Sequence, residues 1–166
     1  GHVPFPELPL RITAPGEESG TYDSFVEIVL EDIAEERGQQ AVTRPDYTAS
    51  GNDNVIIEGI TRDPSSFGWV GFAFFVENQD VVKAFEIDGG EGCVAPTDET
   101  IADGSYPISR PLFIYVNTAR AAENPDLEAY VDFYLSEEGR ASVSEVGYVQ
   151  LTDEEFEETR RTWENR

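Results

Sequence analysis

Ser19, Gly20 and Thr21 are the residues of this 166-residue chain whose types and spacing best suit chemistry, and the chemistry is capture of an anion. Two hydroxyls flank a glycine that lets a ligand approach the backbone closely. An amphipathic helix follows at once, with Tyr22, Phe25, Val26, Val29 and Ile33 on one face. The first N–H groups of a helix have no partner inside it and carry the positive end of its dipole, so they attract negative charge, and neighbouring hydroxyls add donors. Ser and Thr are also ordinary helix N-caps, so capping stands as a second reading of the triplet. Glu17 and Glu18 oppose an anion unless they point outward, or unless one accepts a hydrogen bond from a protonated ligand. A second helix start, capped by Asn52 or Ser50 and carrying Val55, Ile56 and Ile60, could face the same cleft. Asn52 is therefore a further candidate contact, again with capping as its alternative.

Other chemistries lack parts. His2 is the single histidine, so Ser-His-Asp and Cys-His catalysis have no base. No Gly-Lys-Ser/Thr completes a phosphate loop of the nucleotide-binding kind, and GEESG is not a nucleophile elbow. Asn52, Asp53 and Asn54 offer oxygen ligands but a single carboxylate, and nothing has the order of a calcium-binding loop. The expectation is a chain that is not an enzyme and that needs neither cofactor nor metal.

The elements that must position the triplet follow from patterning. Leu10, Ile12 and Thr13 read as a short strand that breaks at Pro15-Gly16, and the helix after it runs from Tyr22 to Arg37 and stops at Gly38. Ala41 to Thr48 is a loop delivering YTASGNDNV. Trp69 to Phe75 and Val81 to Ile87 are compact apolar runs of strand length, and runs apolar on both faces suit a sheet covered by helices on each side. Asp88 to Gly104 reads as a loop, and Leu112 to Val116 as a strand approached through two prolines. From Asn124 the chain is helical: Asn124 caps a helix with Pro125 in its first turn, Glu137 to Val146 forms a second, and Thr152 to Glu155 opens a last one carrying Phe156 and Trp163. The expected division is 1–9 as a tag remnant and lead-in, 10–104 as an α/β ligand-binding lobe, and 105–166 as a returning strand with C-terminal helices.

Charge bounds the partners. Thirty-four acidic residues against eleven basic give a net charge of -23, and Lys83 is the lone lysine. Such a surface repels nucleic acid and anionic membranes. It opposes an anionic ligand at long range too, but at physiological salt that field decays within about 8 Å and local donors decide. Abundant acid with scarce lysine points to a protein that works in concentrated salt. Cys93 is the sole cysteine, which rules out an internal disulfide. No apolar run nears the roughly 18 residues that a membrane span needs, so direct insertion of this stretch is not expected. No signal-peptide pattern opens the sequence, and Gly1-His2 reads as a tag-cleavage scar.

SGT at 19–21, YTASGNDNV at 47–55 and YPISRPLFIYV at 106–116 together resemble the PstS-like phosphate-binding proteins of ABC importers, a family of extracytoplasmic solute-binding proteins. The resemblance covers nearly the whole chain, from about Leu8 to Asn165, and implies one α/β lobe of a type II periplasmic-binding-protein-like fold, a mixed sheet flanked by helices, plus C-terminal helices. It implies that Ser19, Gly20 and Thr21 belong to a phosphate cradle. It also implies capture of inorganic phosphate in the periplasm or outside the cell, delivery to an ABC permease, and lipid anchoring as an option in a longer protein. Many relatives place an arginine four residues before the serine, where this chain has Pro15, and Arg110 is the preferred stand-in, with an ion pair as its alternative role. The family's N-terminal half has no counterpart here, so the expectation is a fragment whose missing lobe would complete the cleft. Sulfate or another tetrahedral oxyanion, a ligand-free interaction or sensor module, and an enzyme acting on phosphate esters are the competing readings.

Overall fold

The structure, a computed structural model, describes residues 7–166, so the tag remnant expected at Gly1-His2 and the start of the expected lead-in lie outside the described residues. These residues divide into two units, one running to Ala84 and the other spanning Phe85–Arg166.

The first unit is built on a small parallel sheet. Strand β1 (Arg11–Ala14) lies between β2 (Thr48–Ala49) and β3 (Ser66–Phe67), with Thr13 opposite Thr48, Ala14 opposite Ala49, and Ile12 opposite Phe67. Parallel neighbours need crossovers, and helices supply them. Between β1 and β2 run α1 (Gly20–Phe25), a π turn (Val26–Leu30) and α2 (Glu31–Glu36), closed by Gly38 at φ 62°. Between β2 and β3 runs α3 (Asp53–Thr61), and α4 (Phe72–Asn78) follows β3. Ala14, Pro15, Tyr22, Ile56 and Ile57 are buried, so the end of β1 and the inner faces of α1 and α3 form the core here. The π turn alters the expected helix: its extra residue slips the apolar stripe, and Ile33 emerges 47% exposed.

The second unit opens with a hairpin of β4 (Ile87–Asp88) and β5 (Cys93–Val94), then α5 (Asp98–Ala102), α6 (Thr118–Glu123), α7 (Pro125–Tyr134), α8 (Glu137–Glu145) and α9 (Asp153–Glu164). Its core is Ala121, Val131, Leu135 and Trp163, with Val116 and Leu127 packed against them. Asn124 accepts from the amides of Asp126 and Leu127 with Pro125 in the first turn, and Thr152 with Glu155 forms a reciprocal capping box. Trp163 is tied in twice: its Nε1 donates to Asp132 Oδ1 at 2.6 Å, and the Arg166 guanidinium lies 3.4 Å from its ring centre while pairing with Glu128.

The architecture is mixed α/β with helices flanking the parallel sheet, as expected, but three strand expectations are corrected. Trp69 to Phe75 turns helical from Phe72, because an apolar run without alternation suits a buried helix as well as a buried strand, and the i, i+3 spacing brings the Phe72 and Phe75 ring centres to 6.0 Å. Of Val81 to Ile87 only Ile87 joins a ladder. Leu112 to Val116 runs as coil, with Phe113 70% and Tyr115 93% exposed; a strand is a property of a pair, and no strand among the described residues lies beside it. The expected loop from Asp88 to Gly104 instead holds the hairpin and α5, and α6 begins ahead of Asn124 under an Asn117 cap.

Candidate functional site

Strands β1 and β2 run parallel, so their carboxyl ends lie together, and each end leads through a short loop into a helix. The loop after β1 delivers Ser19 as the N-cap of α1. The loop after β2 delivers Asn52 as the N-cap of α3. The end of β1 is joined directly to the second loop, since the Ser50 amide donates to the Ala14 carbonyl at 3.0 Å. The structure therefore brings Ser19, Gly20, Thr21 and Asn52 to one end of one sheet.

Each cap is engaged locally. Ser19 Oγ accepts from the Thr21 amide at 3.2 Å, and the Ser19 amide donates back to the Gly16 carbonyl at 3.0 Å. Asn52 Oδ1 accepts from the Asn54 amide at 3.0 Å, while the Asn52 amide donates to Ser50 Oγ at 3.1 Å. The capping reading thus describes both residues in this state, and it is compatible with ligand contact: a capping hydroxyl uses its oxygen as acceptor and keeps its O–H as a donor. Gly20 is exposed beside them. Arg110 lies in the second unit, exposed on the extended stretch between Ser109 and Pro111.

Two features of this end of the sheet were not drawn from the sequence. The first is the seat of Glu18. A side-chain carbon on Gly16 would stand 2.9 Å from the Glu18 carboxylate carbon, and one on Gly51 would stand 3.2 Å from Glu18 Oε1, so the carboxylate lies over glycines of both loops. An anion approaching the two caps meets this charge. The second is Tyr47, whose hydroxyl donates to the Pro15 carbonyl at 2.9 Å. Burial pushes the Tyr47 phenol up, and the negative charges of Glu17 and Glu18 add to that, so it remains a donor at neutral pH. Beneath, Trp69 stacks on Phe25 at 4.1 Å between ring centres, with Tyr47 and Phe67 tilted around it at 6.0 and 6.4 Å. No local sequence rule names this partner for Tyr47, because Pro15 lies 32 positions away.

Helices that begin at the carboxyl ends of parallel strands mark the ligand-binding end of α/β domains. The chain belongs to a family of that class: the model described as PBP superfamily domain matches residues 2–138. Among curated relatives, Protein SphX of Synechocystis sp. is 39% identical over 153 residues, covering 92% of this chain and 43% of the relative. Phosphate-binding protein PstS of Staphylococcus aureus is 32% identical over 155 residues, with the same coverage on both sides. Among solved structures, a possible phosphate binding protein from Planctomyces limnophilus superposes with a TM-score of 0.75 at 33% identity, over 97% of this chain and 55% of that one. The chain spans less than half the length of the curated relatives it matches.

Proposed function

We propose that this chain contributes a phosphate-binding surface to an extracytoplasmic solute-binding protein of an ABC importer, with Ser19, Gly20, Thr21 and Asn52 as the ligand contacts. The observation that carries the reading is the joining of two capped helix starts at one end of a parallel sheet by the bond from the Ser50 amide to the Ala14 carbonyl. The Gly20 and Asp53 amides at the openings of α1 and α3, with the Ser19 and Thr21 hydroxyls, supply neutral donors to tetrahedral oxygens. The Glu18 carboxylate over Gly16 and Gly51 favours an oxyanion that carries a proton, because a protonated oxygen can donate to it whereas a bare dianion is repelled. That distinguishes phosphate from sulfate, the alternative oxyanion. No covalent step is involved, and the names of the relatives support binding over catalysis.

The test is calorimetric titration of phosphate, with sulfate as control, into this chain and into a longer protein that joins it to the remaining length found in its relatives, both in high salt. Saturable phosphate uptake by either protein, weakened in Ser19→Ala and absent with sulfate, is the expected result. Uptake by neither overturns the reading and leaves the ligand-free module. Arg110→Ala, titrated in parallel, decides whether the guanidinium expected from the sequence takes part.

A further inference from the structure

The loop that presents Ser19 is held at three successive carbonyls. Ala14 accepts from the Ser50 amide at 3.0 Å, Pro15 from the Tyr47 hydroxyl at 2.9 Å, and Gly16 from the Ser19 amide at 3.0 Å. Two of these donors are backbone groups that any sequence would supply. Tyr47 is the one side chain among the three, and it acts on the residue that immediately precedes the turn. Pro15 is buried and has no N–H of its own, so its carbonyl is the handle by which its peptide can be fixed. Tyr47 stands one residue before β2, whose end leads to Asn52, so a single side chain ties the approach to one cap to the approach to the other. Its ring, 6.0 Å from that of Trp69, gives the hydroxyl a rigid mount.

We infer that Tyr47 is a positioning residue for anion capture, acting through Pro15 on the placement of Ser19, Gly20 and Thr21; this rests on the phosphate-binding reading above. Neutral donors with a carboxylate close by must be aimed before the ligand arrives, because energy spent reorganising them is subtracted from affinity. The bond from Tyr47 to Pro15 supplies that aim without adding charge at the site.

The experiment compares wild type, Tyr47→Phe, Ser19→Ala and the double variant by phosphate titration in whichever form of the protein binds, with thermal unfolding of each. Tyr47→Phe keeps the ring against Trp69 and removes the hydroxyl alone. Its phosphate affinity is expected to fall about three- to tenfold, the factor that one net hydrogen bond is worth. In the Ser19→Ala background the same change is expected to cost under half as much, since the residue it positions is gone. A merely structural role would lower the melting temperature and leave the two affinity losses additive, which overturns the inference. So does unchanged affinity in Tyr47→Phe with phosphate still bound by wild type. Absence of phosphate binding by wild type in both forms removes the underlying reading and the role of Tyr47 with it. Should Tyr47→Phe fail to fold, 3-fluorotyrosine at position 47 keeps the ring and lowers the phenol's ionisation range. Affinity is then expected to match wild type at pH 7 and to fall ahead of wild type as pH rises; a superimposable pH profile refutes the proposal.

Discussion

Gly59 on α3 is the position where a single methyl group tests how this sheet is held. A Cβ at Gly59 would lie 2.7 Å from Thr13 Cβ and 2.8 Å from Thr13 Cγ2, against the roughly 3.5–4.0 Å that two carbons prefer. Either α3 or β1 must give by close to 1 Å. Strand β1 is poorly able to do so, being paired on both sides, with Thr13 opposite Thr48 and Ile12 opposite Phe67. In an unencumbered helix, Gly→Ala would stabilise by about 1 kcal/mol. Overpacking a tight contact costs about 1–3 kcal/mol, and a clash with three heavy atoms of a pinned side chain, Oγ1 the nearest among them, belongs at the upper end. The net expectation for Gly59→Ala is a loss of about 1–2 kcal/mol, read as a lower urea midpoint with an unchanged slope. Thr13→Ala removes Oγ1 and Cγ2, so adding it to Gly59→Ala should recover at least about 0.5 kcal/mol relative to the sum of the single effects. If Gly59→Ala proves more stable than wild type, or if the two changes add simply, the close approach of α3 to β1 does not exist as described.

Three further outcomes are expected. Trp163→Phe removes the bond to Asp132 and the indole beneath Arg166, and should destabilise the second unit by about 2 kcal/mol, measured by urea unfolding, with Asp132→Asn costing less because the amide oxygen still accepts. The Gly90 and Gly92 amides donate to Asp88 Oδ1 and hold its carboxyl below the usual range, so this hairpin contribution is present above the ordinary aspartate pKa and lost as pH falls through the depressed one; the two glycine amide resonances should move only below about pH 4, and movement near neutrality contradicts the assignment. The net charge of -23 should make the melting temperature rise from dilute to molar salt, and a flat dependence refutes the high-salt reading.

The readable parts of this chain were those written locally. Ser19, Asn52, Asn124 and Thr152 each satisfy amides two or three residues ahead, so side-chain type and position sufficed to find the helix starts. The same locality made β1 and the stop at Gly38 legible, and two of the proposed contacts, Ser19 and Asn52, were placed as caps at the start. What was not legible depends on partners remote in sequence. Leu112 to Val116 has strand composition, yet composition cannot say what pairs with it. Trp69 to Phe75 lacks the alternation that would separate strand from helix, and Phe72 to Asn78 is helical. The bond of Tyr47 to Pro15 and the seat of Glu18 over Gly51 join loops that meet only because β1 and β2 pair.

The π turn at Val26–Leu30 makes chain length itself part of the site. Between Ser19, which presents donors, and Tyr47, which holds their loop, the backbone leaves along a helix and returns. The wide turn is where that path carries one residue more than a regular helix would use. Deleting a residue from the regular α turns on either side, by contrast, would shorten the helix by about 1.5 Å and rotate everything after it by about 100°. No side chain at the cradle would have changed, yet the segment that carries Tyr47 back to Pro15 would set out in another direction. Variants in this helix are therefore expected to divide by length and not by chemistry: substitutions at Val26 to Leu30 leave the path intact and the wide turn can absorb the loss of its extra residue, whereas a one-residue deletion in α2 uncouples the loop from its tether.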